Sequence, residues 1–378
     1  QKISAMEKIK WKYHDHDSIF YYNLDSNLDS NSEIIAFDFD WTLVRPKSHR
    51  ILPRDPDDIK LCYDNVIEKL REEHSKGKKI VIFSNQKKSN IRMLYLRLTW
   101  FVNQFPNITF IASLKNDLNR KPETGMWDFL TQNKNINLSK CCFIGDAGGR
   151  DSKGISGKDS KGISGKDFSC SDRKFAYNIG INFKTPEEYF LGEEPKDFKW
   201  GSFDPRNYIV KKNKNKLNFS HISPEIIMMV GLPASGKSTF VKKYFSEYTY
   251  INQDILKTKK KCIDNTIKAL KNNDNVIIDN TNVDIQTRKE YIELAKQYNY
   301  FIRCFVIDVD INLAKHLNKV RYRLTRNSNK NIPDIAYNVL SKKYKSPSMD
   351  EGFTEVINIP FTLEFESSIH KKEFYKFS

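Results

Sequence analysis

The sequence predicts an α/β protein of two domains, each a mostly parallel sheet flanked by helices. Three observations carry that prediction. Short apolar runs alternate with longer amphipathic stretches, as in strands joined by crossover helices. The alternation lapses over residues 201–223 and then restarts, which two sheets explain better than one. The 378 residues, 39% hydrophobic and 13% aromatic, hold enough apolar surface for two cores and exclude a disordered chain.

In chain order, residues 1–30 read as an N-terminal extension and 31–200 as the first domain. Its buried strands are expected at 33–39, 79–83, 109–113 and 141–145, with a helix over 57–76 that sets Ile59, Val66, Ile67 and Leu70 on one face. The octet DSKGISGK fills 151–158 and recurs letter for letter at 159–166; its Gly, Ser and Lys content builds no core, so it reads as a flexible surface loop. Residues 201–223 read as a linker. Within it, 206–218 hold five basic side chains and no acidic one, either solvated or touching phosphates. The second domain, 224–378, has strands expected at 225–230, 248–252, 275–279 and 302–309.

The 63 basic and 47 acidic residues leave a formal charge of +16, which favours a polyanionic partner, nucleic acid or an acidic membrane surface. No apolar run approaches the roughly 18 residues of a membrane span, and the first residues show no signal-peptide hydrophobic region. The six cysteines form no C-x-x-C pair, which fits neither a disulfide framework nor a zinc site. Together these describe a soluble chain of a reducing, intracellular compartment. His14, Asp15 and His16 lack further metal ligands nearby in sequence and read as solvated.

Gly231, Leu232, Pro233, Ala234, Ser235, Gly236, Lys237 and Ser238 match G-x-x-x-x-G-K-[ST] at every fixed position, between a buried strand and a helical stretch starting at Thr239. In that setting backbone N–H groups wrap the phosphates of ATP or GTP at a helix N-terminus. Lys237 then reaches the β- and γ-phosphates and Ser238 ligates Mg2+. Asp254, just past the next strand, is placed either to take a proton from an attacking hydroxyl or to cap the following helix. Asp279 ends a further strand, where it can hold a metal-bound water or orient substrate. Arg321, Arg323 and Arg326 read either as a lid over the transferred phosphoryl or as a solvated face. Lys257, Lys259, Lys260 and Lys261 read equally as the path of a nucleic-acid strand or as an exposed face.

In the first domain, Asp38 and Asp40 close an apolar strand, and alternation puts both on one side of the extended chain. Two close carboxylates suit phosphoryl transfer: one attacks phosphorus while the other trades protons with the leaving oxygen. Such chemistry also needs a hydroxyl and a cation for the phosphate, and another acid for Mg2+. Ser84, Lys121 and Asp146 supply them, each at an expected strand end.

These four segments resemble the four motifs of the haloacid-dehalogenase phosphatase superfamily. The wider wording narrows the likeness. NRKPETGMW (119–127), GDAGGR (145–150), DFSCSDR (167–173), TPEEYF (185–190), the phosphate loop and DNTN (279–282) occur in one order. Together they are similar to the bifunctional polynucleotide 5′-kinase/3′-phosphatases of DNA end repair, over both domains and the linker. The resemblance implies a haloacid-dehalogenase-like first domain and a P-loop kinase second. It implies Asp38 as nucleophile and Asp40 as general acid/base, with the Asp40 backbone carbonyl on Mg2+. Thr42, Ser84 and Lys121 would hold the phosphoryl, and Asp146 would complete the metal site. Asp254 would activate a DNA 5′-hydroxyl for attack on the γ-phosphate of ATP. Asp279, Asn282 and Arg288 would support substrate or metal, and Thr239, Arg321 and Arg323 would contact ATP.

The implied function is removal of 3′-phosphates and phosphorylation of 5′-hydroxyls at DNA breaks, leaving ends a ligase can join. The implied enzyme is a monomer without a phosphopeptide-binding FHA domain, so no recruitment through phosphoproteins is expected. Trp41 stands where the family has Gly. If that position needs a left-handed backbone, Trp weakens the phosphatase; alternatively its ring stacks on a terminal base. Gln253 replaces an Arg of the animal enzymes, and the duplicated octet falls next to the expected phosphatase mouth. The alternatives are a kinase with an impaired phosphatase half, RNA-directed end repair, and, from charge alone, an idle break-binding scaffold.

Overall fold

The computed structural model describes residues 11–25, 27–48, 50–132, 134–151, 167–209, 219–220 and 222–378. The duplicated octet beyond Asp151, most of the basic stretch 206–218 and the first ten residues lie outside these. The chain divides into two compact units, Gln1–Asp204 with Lys376–Ser378, and Pro205–Tyr375.

The first unit is a seven-stranded sheet ordered β1-β2-β7-β6-β3-β8-β9. Five strands are parallel: β3 (Ile34–Phe37), β6 (Lys79–Asn85), β7 (Thr109–Ser113), β8 (Cys142–Ile144) and β9 (Asn182–Lys184). Each inner strand is apolar on both faces because helices cover both. Ile35, Phe37, Ile80 and Ile82 join one core with Leu94, Leu98 and Phe101 of α2 (Ile91–Val102). Ile34, Ala36, Val81 and Phe83 join the other, with Met126 and Trp127 of α3 (Gly125–Thr131) and Phe175 of α4 (Ser171–Ile179). Each fully buried side chain of this size contributes about 2 kcal/mol of transfer free energy.

Two expectations are corrected here. Residues 11–22, read as part of an extension, are instead strands β1 (Trp11–His14) and β2 (Ile19–Tyr22), a hairpin that pairs antiparallel with β7 and extends the sheet. Its turn is tied down: Asn119 donates to Asp15, Lys115 to the His16 carbonyl, and Lys88 pairs with Asp17. His14 is exposed, as expected, and its ring stacks on Phe129 at 4.6 Å. The helix expected over 57–76 is shorter, α1 (Val66–Ser75). Ahead of it, β5 (Lys60–Leu61) pairs with β4 (Val44–Arg45), and the buried Asp58 carboxylate accepts from Ser48 N, Ser48 Oγ and Arg54 N at 2.8, 2.6 and 2.9 Å. Those bonds hold a loop where helical periodicity alone allowed a turn of helix.

The second unit is a parallel sheet ordered β11-β12-β10-β13-β14. Its strands are β10 (Glu225–Val230), β11 (Thr249–Ile251), β12 (Val276–Ile278), β13 (Phe301–Val306) and β14 (Glu355–Asn358). Helices α5 (Lys237–Tyr244), α6 (Gln253–Leu256), α7 (Lys259–Lys271), α8 (Ile285–Tyr298), α9 (Ile311–Thr325), α10 (Asp334–Lys343) and α11 (Ser368–Phe374) intervene or follow. Asp284 and Asp310 cap α8 and α9 with their carboxylates. Arg303 and Glu225, both fully buried, form a two-pronged ion pair at 2.7 and 2.9 Å, with the Tyr248 hydroxyl on the same carboxylate. Lys376–Ser378, expected with this half, belong to the first unit: Phe377 stacks on Trp200 at 4.1 Å, and Asn178 bonds both its N–H and its carbonyl. Among the described residues no helix is long and apolar enough to cross a membrane, and all six cysteines are free thiols.

Candidate active sites

In the first sheet the chain builds outward from β3 to one side through β6 and β7, then to the other through β8 and β9. Such a reversal leaves a crevice at the strands' C-terminal ends. Asp38 follows β3, Ser84 lies in β6, and Asp146 follows β8, so the crevice gathers three of the expected residues. Lys121 joins them from the β7–α3 connection: its ammonium donates to Asp38 at 2.7 Å and to the Phe83 carbonyl at 3.0 Å.

Lys121 also pairs with Asp172, at 2.7 Å, in the first turn of α4. Sequence reading passed over Asp172, although it stands in the quoted segment 167–173. The available signal was Gly145: a Cβ there would collide with the Asp172 carboxylate, so the glycine makes room for it. Asp38, Asp146 and Asp172 offer carboxylate oxygens all within 4.8 Å of one another, the one such cluster among the described residues. Three hard oxygen donors fit Mg2+. Burial pushes the Asp38 carboxyl up to about 7 against the pull of Lys121, with Asp172 adding to the rise. A bound cation would relieve both.

Asp40 turns away from this cluster. Arg97 of α2, 3% exposed, forms an ion pair with one carboxylate oxygen, and Gln86 Nε2 donates to the other at 2.7 Å while also reaching Ser84 Oγ at 2.8 Å. Neither Arg97 nor Gln86 was anticipated; each acts across more than forty residues, beyond any local pattern. The fully buried Thr42 accepts from Asp146 N at 3.1 Å.

Trp41 adopts φ 62°, so this position does require the left-handed backbone that Gly supplies freely. A side chain there costs roughly 1–2 kcal/mol. Its indole N–H donates to the Ile51 carbonyl at 3.0 Å. The residues flanking the duplicated octet, Arg150 and Asp167, form a buried clamp. Arg150 grips Asp167 with two guanidinium nitrogens at 2.9 and 3.0 Å and Glu187 with a third at 2.7 Å.

In the second sheet the phosphate loop follows the central strand β10. Gly231 is needed for close approach, because a Cβ there would come 2.5 Å from the Ile307 carbonyl. Ala234 and Gly236 take φ 60° and 91°, and Pro233 receives the Tyr337 hydroxyl at 3.1 Å. Lys237 is buried and donates to the carbonyls of Gly231 and Leu232 at 2.9 and 2.7 Å and to Ser235 Oγ at 3.4 Å. Burial lowers its pKa to about 8, with the Asp279 charge opposing the fall. Ser238 Oγ donates to Asp279 at 2.5 Å, as does the Tyr250 hydroxyl, while Thr239 is exposed on the first turn of α5. Ser238 and Asp279 fit a hard cation at the mouth of the loop.

Asn252, not Asp254, caps α6: its side chain accepts from Asp254 N and Ile255 N. Asp254 is exposed, and no described residue hydrogen-bonds its carboxylate. Asn282 takes φ 46° and anchors the loop by donating to the Met229 carbonyl at 2.8 Å. Lys257, Lys260 and Lys261 are exposed, and Lys259 pairs with Glu290 at 2.6 Å.

Two of the expected arginines, Arg288 and Arg323, are buried among other protein groups. Arg288 is fully buried in a two-pronged pair with Glu351, at 2.7 Å each, and donates to the Asn282 carbonyl at 3.1 Å. It braces the Asn282 loop. Arg321 and Arg323 sit about 200° apart around α9 and cannot share a face. Arg321 bonds Asn318 Oδ1 and the Lys330 carbonyl, and its charge is felt at Lys237; Arg323, 5% exposed, donates to the Glu373 carbonyl at 3.0 Å.

The family model described as polynucleotide kinase 3 phosphatase matches residues 33–190, and an AAA domain model matches 226–347. The chain is 37% identical to the bifunctional polynucleotide phosphatase/kinase of Schizosaccharomyces pombe over 369 residues, 94% of this chain and 85% of that protein. A relative from Acanthamoeba polyphaga mimivirus is 33% identical, covering 91% of this chain and 89% of that one. The polynucleotide 3′-phosphatase ZDP of Arabidopsis thaliana is 32% identical over 48% of this chain and 27% of its own.

Proposed function

The chain belongs to the bifunctional polynucleotide phosphatase/kinase family, and from that premise we propose that it acts on DNA, removing 3′-phosphates and phosphorylating 5′-hydroxyls so that ends become ligatable. The observation that carries the reading is one chain holding Asp38 against Lys121 at one strand end and Lys237 inside a phosphate loop at another.

In the phosphatase half, an Asp38 oxygen attacks phosphorus, the bond from phosphorus to the 3′-oxygen breaks, and Asp40 gives that oxygen a proton. Water then attacks the aspartyl-phosphate; Asp40 takes its proton, and the bond from phosphorus to Asp38 breaks. Lys121, Ser84 and Thr42 hold the phosphoryl oxygens, and Arg97 and Gln86 orient Asp40. Asp38, Asp146 and Asp172 would hold Mg2+, whose charge offsets that of the phosphate and the carboxylates. In the kinase half, Asp254 accepts the 5′-hydroxyl proton as that oxygen attacks the γ-phosphorus of ATP and ADP leaves. Lys237 and Arg321 meet the phosphate charge, and Ser238 and Asp279 would hold Mg2+.

A single-stranded DNA with a 5′-hydroxyl and a 3′-phosphate, incubated with Mg2+ with and without ATP and read by mass at both ends, tests this. Loss of the 3′-phosphate without ATP and gain of a 5′-phosphate only with it are the expected results. An RNA of the same sequence being processed while the DNA stays unchanged would refute the DNA assignment. The left-handed Trp41 backbone favours a second reading, a kinase whose phosphatase is slowed; it predicts a 5′ gain with the 3′-phosphate retained.

A further inference from the structure

We propose that Trp41 and the loop tip it holds, Ile51 and Leu52, form a platform on which the terminal nucleobase of the phosphatase substrate stacks. This rests on the polynucleotide 3′-phosphatase reading of the first unit.

The starting point is the strained residue. A left-handed tryptophan directly after Asp40 persists only where the surroundings hold it there, and such outliers gather at ligand-binding sites. The N–H donation from its indole to the Ile51 carbonyl helps to hold it. That bond draws residue 51 to within one indole length of the backbone beside the catalytic aspartates. The loop's other anchor is Asp58, which fastens Ser48 and Arg54 on either side of the tip. Between these anchors Ile51 and Leu52 stand 65% and 69% exposed. The loop is fastened, yet its two apolar side chains point at solvent.

Charge decides what this tip suits. Lys47, Arg50 and Arg54 are balanced by Asp55, Asp57 and Asp58, so the loop offers no net attraction to a phosphate backbone. An aromatic ring beside two aliphatic side chains suits the flat face of a base. With the 3′-phosphate held at Asp38, the nucleoside it is attached to is the part of the substrate that reaches the platform.

The test compares two 3′-phosphorylated DNA oligonucleotides, one ending in a normal nucleoside and one in an abasic residue, with p-nitrophenyl phosphate as a third substrate. In the unmodified protein, kcat/KM for the base-bearing end should exceed the abasic one roughly tenfold. The Trp41→Gly protein and the Ile51→Ser, Leu52→Ser double variant should each bring that ratio toward one, whatever their absolute rates. A ratio near one in the unmodified protein, or a ratio unchanged in both variants, would overturn the platform while leaving the phosphatase reading intact. Hydrolysis of p-nitrophenyl phosphate with both oligonucleotides untouched would overturn the polynucleotide reading, and the platform with it.

Discussion

At the end of β3 the acids are already engaged by protein groups: Lys121 lies between Asp38 and Asp172, and Arg97 and Gln86 engage Asp40. The end of β10 differs. Lys237 is buried against two carbonyls and a hydroxyl, with no carboxylate among its hydrogen bonds, and the Asp254 carboxylate stands in solvent. On the mechanism proposed above, the difference follows from where the phosphoryl goes. A site that takes phosphorus onto its own carboxylate must hold that acid in place beforehand. A site that passes phosphorus between two ligands is completed by those ligands.

The sharpest way to break the comparison is to remove the two central groups. Asp38→Asn should lower 3′-phosphatase turnover at least about 10^3-fold with 5′-kinase turnover retained, and Lys237→Ala should do the reverse. Parallel loss of both activities in either variant would mean the sites do not work separately. Next, Asp254→Asn should cost roughly 10^2–10^4 in kinase kcat with little change in the KM for ATP, since in the proposed mechanism the residue meets the hydroxyl and not the nucleotide. A tenfold rise in that KM would reassign it.

Arg288→Gln sharpens the kinase side. It leaves the partly buried Glu351 carboxylate without its cation and with only the Ser348 N–H, and should destabilise the second unit by about 3 kcal/mol, read as a lowered denaturant midpoint. Lost ATP affinity at unchanged stability would restore Arg288 to the ligand site.

The smallest effect is a proton count. Lys237 titrates near 8 without ligand, and phosphates should return it to its ordinary range. Nucleotide binding at pH 8 should therefore take up about half a proton, measurable by calorimetry in buffers of different ionisation enthalpy. The same shift means that between about pH 8 and 10.5 the unfolded chain holds this proton more tightly than the folded one. The ligand-free unit thus gains stability from this group as pH rises through that window, and loses the gain as pH falls to 8. No proton uptake would show a lysine already charged.

The inner strands were legible because parallel strands covered on both faces leave unbroken apolar runs, and Asp38, Asp146 and Asp279 because a strand's end shows where its last side chain points. What stayed hidden depends on distant partners. Asp172 is an ordinary helix-start acid until α4 meets Gly145 and Lys121. The β1–β2 turn escaped because Asp15, His16 and Asp17 all take positive φ with no Gly to announce it. Arg321 and Arg323 look alike in a run of letters, and only the helical angle between them separates their fates.

Phe377 carries a consequence for how the protein is made. Translation completes the whole of Pro205–Tyr375 before the ribosome adds the aromatic ring that packs on Trp200 and Tyr177. The nascent first unit therefore waits, one piece short, while the second is synthesised. A nonsense codon anywhere in the kinase coding region strips that piece from the phosphatase as well, so a genetic lesion written in one half is also felt in the other.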